Sequence, residues 1–88
     1  MSKAVAFHGK GLEDYQYWQT QDLKMLKRIN LLLKDVERNG HQGIGKPEAL
    51  KHELQGCWSR RINDEHRLIY SIDEQFIHVY ACRYHYDN

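Results

Sequence analysis

Proline occurs once, at Pro47, and cysteine only twice, at Cys57 and Cys82. A single proline excludes a Pro-rich extended segment. Two cysteines outside any CxxC spacing exclude a disulfide framework and a Cys-based zinc knuckle. No apolar run approaches the roughly 20 residues needed to span a membrane. The opening Met-Ser-Lys-Ala-Val-Ala-Phe-His has too few apolar residues for the core of a secretory signal. Cytoplasmic residence with reduced thiols is the expectation. Charge of one sign is missing too: 13 Lys and Arg face 12 Asp and Glu, for a net charge of +1. Any binding site for a polyanion must therefore come from local clustering.

What the chain has is aromatic and apolar mass: 41% hydrophobic residues, with 6 Tyr and 2 Trp. Disordered chains lack this content. At 88 residues the chain is expected to form a single domain over 1–88 with a modest core. A core that small favours dimerisation or a bound partner. No internal repeat or low-complexity segment is present.

Ala4-Val-Ala-Phe7 reads as a short strand, punctuated by Gly9 and Gly11. Leu12, Tyr15 and Trp18 share one face of a helix. Thr20 or Asp22 can cap a second helix. Leu26, Ile29, Leu33 and Val36 form its apolar stripe, with Leu32 widening it. Gly40 can end that helix. The loop His41-Gln-Gly-Ile-Gly-Lys-Pro47 follows. A short helical turn is expected over Glu48–Leu54, started by Pro47. Trp58–Ile62, Arg67–Ile72 and Phe76–Cys82 read as strands joined by short turns, hence antiparallel neighbours. Leu68, Tyr70 and Ile72 share a face, as do Ile77, Val79 and Ala81; these faces suit the helices. The other face carries Arg67, Ser71, His78 and Tyr80. The expected fold class is α+β: two N-terminal helices packed on one face of a twisted antiparallel sheet, order β-α-α-β-β-β, with the second face open.

That open face and its borders gather Lys46, Glu48, Lys51, Arg60, Arg61, Arg67 and the run Arg83-Tyr-His-Tyr86. A hairpin turning at residue 64 sets Arg61 opposite Arg67. Two adjacent guanidinium groups repel unless an anion lies between them, and a phosphodiester suits that place. Metal-free RNA cleavage needs a base for the 2′-hydroxyl, a cation for the phosphorane-like transition state and an acid for the departing 5′-oxygen. Glu48, Arg67 with Arg61, and His85 can fill those roles. Tyr86 can stack on a base.

Each residue also suits a structural role. A Glu in a helical turn is commonly solvated, and Arg60-Arg61 commonly forms a solvated strand edge. His85 can be a frayed tail. Tyr80 and Tyr84 suit packing, and Cys57 and Cys82 suit small core positions. The six His show no metal-ligand spacing, and Gly43-Ile-Gly45 lacks the strand-to-helix context of a phosphate fingerprint. On the strand parity, His85 falls on the face opposite Arg67, so the tail must leave the sheet and curl back after Arg83.

Five segments resemble the YoeB/Txe toxins of the RelE superfamily. They are Glu13-Asp-Tyr-Gln-Tyr-Trp-Gln19, Gly43-Ile-Gly-Lys-Pro-Glu-Ala-Leu-Lys-His52, Trp58-Ser-Arg-Arg-Ile62, Glu65-His-Arg-Leu-Ile-Tyr70 and Ala81-Cys-Arg-Tyr-His-Tyr86. They stand in family order and spacing. Leu12, Asn39-Gly40-His41 and the Asp87-Asn88 extension depart from the family pattern.

The resemblance implies a ribosome-dependent messenger-RNA endoribonuclease that acts in the A site without cofactor or metal. By position it assigns Glu48 as base, Arg67 as phosphate stabiliser, His85 as acid and Tyr86 as the orienting aromatic. Lys51 and Arg61 match supporting basic positions, Glu65 lies beside them to orient Arg67, and with Lys46 of the loop these make up the expected RNA-binding set. It also implies an antitoxin of the YefM/Phd kind, a homodimer or a toxin–antitoxin hetero-oligomer, and no membrane. A non-catalytic RNA- or ribosome-binding module on the same fold is the competing reading. A hydrolase using Cys57 or Cys82 is a third, with no activating arrangement in the sequence.

Overall fold

Hydrophobic periodicity builds two helices against one sheet. In this computed structural model, which describes residues 3–85, β1 (Ala4–Phe7) leads into α1 (Gly9–Gln21) and α2 (Leu23–Asn39). Then come β2 (Glu48–Ala49), a 3-10 turn (His52–Leu54), β3 (Trp58–Arg61), β4 (Arg67–Ile72) and β5 (Phe76–Ala81). Asp22 separates the helices and caps the second, accepting from the Lys24 and Met25 backbone N–H groups. Those donors have no partner within the helix, so the cap satisfies them. Gly40 ends α2 at φ 65°, and its N–H donates to the Val36 carbonyl.

The five strands run β1-β5-β4-β3-β2 across one sheet. The three C-terminal strands pair antiparallel in sequence order. β1 lies parallel to β5, and the long connection between them carries both helices and the other three strands, so the sheet is mixed. The core forms between the helices and one sheet face: Ile29, Leu32 and Val36 of α2 meet Leu68, Tyr70, Ile77 and Val79. Gly11 lets α1 approach β5, because a Cβ there would sit 2.3 Å from the Val79 carbonyl oxygen. No helix among the described residues is long and apolar enough to cross a membrane.

Three expectations change. The helical turn over Glu48–Leu54 is instead an edge strand followed by a 3-10 turn. A lone turn leaves most of its backbone groups unpaired. Beside β3, Glu48 and Ala49 pair with Ser59 and Trp58, and the Leu50 N–H donates to the Cys57 carbonyl at 2.9 Å. That route also buries Leu50 against Ile69 and Ala81, so part of the second sheet face is covered rather than open.

The third change concerns parity. Tyr70 pairs with Val79 and Ile69 with Ala81, so Tyr80 is an extra residue in β5. Such a bulge shifts the alternation by one. Ala81 therefore leaves the helix-facing side on which Val79 lies and joins Ile69 and Leu50. Cys82 takes the core side instead and is fully buried. The parity that would have sent His85 away from Arg67 is reversed before the tail begins.

Candidate active site

The β3–β4 hairpin sets the frame. Its register pairs Arg61 directly with Arg67, as turning at residue 64 requires. Leu68 faces the core, so both arginines lie on the other face. Glu48 pairs with Ser59, two residues before Arg61 on the same face. Sheet spacing places the Glu48 and Arg67 Cα atoms about 12 Å apart. A carboxylate and a guanidinium on long side chains can close on one phosphodiester across that span.

Glu48 and Arg61 are exposed, as are Lys46 and Lys51 flanking Glu48. Lys46 sits at φ 51°, just after Gly45, whose carbonyl accepts the Arg61 N–H at 2.7 Å. The loop is thereby stitched to β3 beside the arginine pair. Arg67 is half-buried. Its Nη1 donates to the carbonyls of Asn63, Asp64 and His66 at 2.8, 3.3 and 3.2 Å. These bonds hold its guanidinium over the hairpin turn. Glu65 is exposed, with a carboxylate oxygen 3.5 Å from His66 Nε2.

The tail joins this group through its backbone. The Arg67 N–H donates to the Tyr84 carbonyl at 2.9 Å, so His85 follows the residue bonded to Arg67. The Tyr84 N–H donates to His66 Nδ1 at 2.7 Å. From α1, Trp18 Nε1 donates to the Cys82 carbonyl at 2.8 Å, and buried Asp14 accepts the Cys82 N–H at 3.0 Å. The Arg83 guanidinium lies 3.6 Å from the Tyr17 ring centroid, a cation–π geometry. Tyr84 turns at φ 65° and is 51% exposed, so it is not the packing residue its sequence suggests. Tyr86 lies outside the described residues.

Arg60 departs from the solvated strand edge that its sequence suggests: its side chain is fully buried on the core side of β3. All five N–H groups of its guanidinium have acceptors. Nη1 meets Asp35 in an ion pair and donates to the Ile44 carbonyl at 3.1 Å. Nη2 donates to the Gly40 and Gln42 carbonyls at 2.7 and 2.8 Å, and Nε to the Tyr70 hydroxyl at 3.1 Å. The Arg60 guanidinium bonded to Asp35 holds its carboxyl below the usual value, against the opposing effect of burial. Arg60 thus organises the glycine loop from inside. His41 closes over it by stacking on Trp58, with centroids 4.1 Å apart.

Neither cysteine is poised as a nucleophile. Burial raises the Cys57 thiol and pushes that of Cys82 up to about 12. A separate chain runs from His8 to His78 at 2.8 Å and on to Asp73 at 2.7 Å. The His78 bond, helped by the Phe76 and Gln75 N–H groups, lowers Asp73 to about 2.

Comparison with known proteins decides the family. The family described as YoeB-like toxin of bacterial type II toxin-antitoxin system matches residues 7–86. The chain belongs to this family. Toxin YoeB of Escherichia coli K12 is 53% identical over 74 residues, covering 84% of this chain and 88% of that toxin. The structure of a YoeB dimer from Staphylococcus aureus superposes with a TM-score of 0.92 at 50% identity, covering 98% of this chain and 100% of that one. A YoeB-YefM complex from the same organism gives a TM-score of 0.90 at 49% identity, covering 98% and 100% of the two chains. Like the family's described members, the chain is therefore a toxin of the type II toxin–antitoxin class, on their two-helix, five-strand fold. The residues that sequence reasoning missed are the tail's anchors, Asp14, Trp18 and His66. The string Glu65-His-Arg contained the last of these, but nothing in it told a ring acceptor from a surface histidine.

Proposed function

We propose that this toxin is a ribosome-dependent messenger-RNA endoribonuclease acting in the cytoplasm on message in the A site. The observation that carries the reading is the grouping on one sheet face of Glu48 and the Arg61–Arg67 pair, with the tail bonded to Arg67. Glu48 takes the proton from the 2′-hydroxyl, and the 2′-oxygen so freed attacks phosphorus. The charge that develops on the phosphoryl oxygens meets Arg67 and Arg61. The bond from phosphorus to the 5′-oxygen breaks as His85 donates a proton to that oxygen. The products are a 2′,3′-cyclic phosphate and a 5′-hydroxyl end, and no step calls for a metal or cofactor. Tyr86 orients the nucleotide by stacking, while Lys46 and Lys51 hold backbone phosphates. Glu65 borders the same patch. An antitoxin of the YefM kind is the regulatory partner, and a homodimer the form without it. Support comes from the described partners of the S. aureus relatives.

The test is cleavage of a translated message by purified protein and ribosomes. Glu48→Gln should slow cleavage by roughly 10²–10⁴-fold, and Arg67→Ala by roughly 10²–10³-fold. Both should remain folded by circular dichroism. Wild-type rates in both variants, or ribosome binding without new 5′-hydroxyl ends, would overturn the reading.

A further inference from the structure

We propose that His66 is a positioning residue for the reaction, its ring Nδ1 acting as the acceptor that sets the tail at Tyr84 and thereby His85 beside Arg67. This rests on the endoribonuclease reading. Both backbone polar groups of Tyr84 are held by two consecutive residues. Its N–H meets His66 Nδ1 at 2.7 Å, and its carbonyl meets the Arg67 N–H at 2.9 Å. Tyr84 stands at φ 65°, a left-handed conformation that a residue with a Cβ adopts only when its surroundings impose it. The two bonds supply that constraint, and the chain leaves the turn at His85.

The ring is itself fixed. His66 is 7% exposed and packs edge-on against Trp18, with centroids 4.9 Å apart at 75°. Its carbonyl accepts from the Ile62 N–H at 2.9 Å and from Arg67 Nη1 at 3.2 Å. One residue thus ties the hairpin turn, the catalytic arginine and the tail together. The N–H of Tyr84 requires an unprotonated Nδ1, so the neutral ring carries its proton on Nε2, which faces Glu65. Burial disfavours the charged ring, and Arg83 and Arg67 act in the same sense; Glu65 and Asp14 oppose them. Lys10, paired with Asp14, and Tyr84 complete the groups around it. Acid adds a proton that turns Nδ1 from acceptor to donor and points it at another donor.

Two substitutions separate positioning from packing. In His66→Asn the amide oxygen can stand near Nδ1 as an acceptor that does not titrate. His66→Leu keeps apolar bulk without an acceptor. The readouts are the Tyr84 amide resonance against pH and single-turnover cleavage on ribosomes. The Leu variant should lose the Tyr84 hydrogen-bond signature and cut the single-turnover rate constant by roughly tenfold to hundredfold with little change in the half-saturating ribosome concentration. The Asn variant should retain both and lose the acid-induced shift of the Tyr84 amide that the wild type shows. A Leu variant as active as Asn, or a Tyr84 amide indifferent to residue 66, would overturn the proposal. Should the Leu variant fail to fold, an Asn variant that keeps the wild-type acid shift would overturn it alone. The amide readout does not depend on cleavage. Loss of the enzymatic reading through an active Glu48→Gln therefore remains distinguishable from loss of this one.

Discussion

Replacing Arg60 with methionine should destabilise the protein more than any surface substitution, because one side chain serves five acceptors. Methionine fills comparable volume and removes every donor. The Gly40, Gln42 and Ile44 carbonyls, the Tyr70 hydroxyl and the Asp35 carboxylate all lose a partner. Asp35 keeps the Ile44 N–H at 3.0 Å and the Asn39 amide at 2.8 Å, and its side chain is 17% exposed, so it is not stranded. The larger loss falls on the loop carbonyls. Leaving three loop carbonyls and the Tyr70 hydroxyl without this donor, at about 1 kcal/mol each, costs about 3–5 kcal/mol in total. A chain of this length has a total stability of roughly 4–13 kcal/mol. At about 4–8 °C per kcal/mol, the midpoint of thermal unfolding should fall by roughly 12–40 °C. Equilibrium urea unfolding of wild type and variant measures the difference directly. Asp35→Asn, which leaves the buried Arg60 charge its other four contacts but no carboxylate, should cost a comparable amount, about 3–5 kcal/mol. Arg61→Met, one residue along and exposed, should stay within about 0.5 kcal/mol. An Arg60→Met variant within about 1 kcal/mol of wild type, or an Arg61→Met variant that costs as much as Arg60→Met, would refute this role for the buried guanidinium.

Gly11→Ala should weaken the seam between α1 and β5 by about 1–3 kcal/mol, since backbone must shift to admit the methyl; an unchanged thermal midpoint would refute the close approach. Stability should also fall in acid, with the sign set by carboxylates whose folded-state values are depressed. Asp73 drops from 3.8 to about 2 and Asp35 is lowered as well, so their contribution is complete above about pH 4 and fades as pH falls toward 2. His66, lowered by burial, adds a loss that begins as pH falls below its ordinary value of 6.5. Urea midpoints measured against pH should decline in both windows, and a flat profile would contradict the assignments.

Much of the frame was legible because it follows from short-range patterning. The stripe Ile29-Leu33-Val36 fixes the face that α2 buries. The Asn63-Asp-Glu turn sets the register that opposes Arg61 and Arg67. The Glu48 segment was misread because β2 is two residues long and owes its form to β3, a partner no local signal names. The side of the sheet on which the tail emerges was misread for a comparable reason. A single extra residue at Tyr80 reverses parity, and Phe76–Ala81 alternates too regularly to betray it.

Arg60 and Arg61 show where the remaining information lay. The two are identical and adjacent, yet one is sealed in the core and the other faces solvent. Their difference is one of parity. Trp58, Arg60 and Ile62 alternate, and the outer two are apolar residues packed in the main core. An arginine between them is placed on the core side by the same rule that places them. A buried guanidinium then needs a carboxylate and several carbonyls, since an unpaired one would cost more than the fold can supply. Asp35 lies in the last turns of α2, and the glycine loop after it offers bare carbonyls at Gly40, Gln42 and Ile44. The glycines of that loop therefore answer to Arg60. A Cβ at Gly43, already at φ 126°, would lie 1.9 Å from the Asp35 carboxylate. The same loop ends at Lys46 and Glu48, so the buried arginine supports the position of the residues that its exposed neighbour joins at the site.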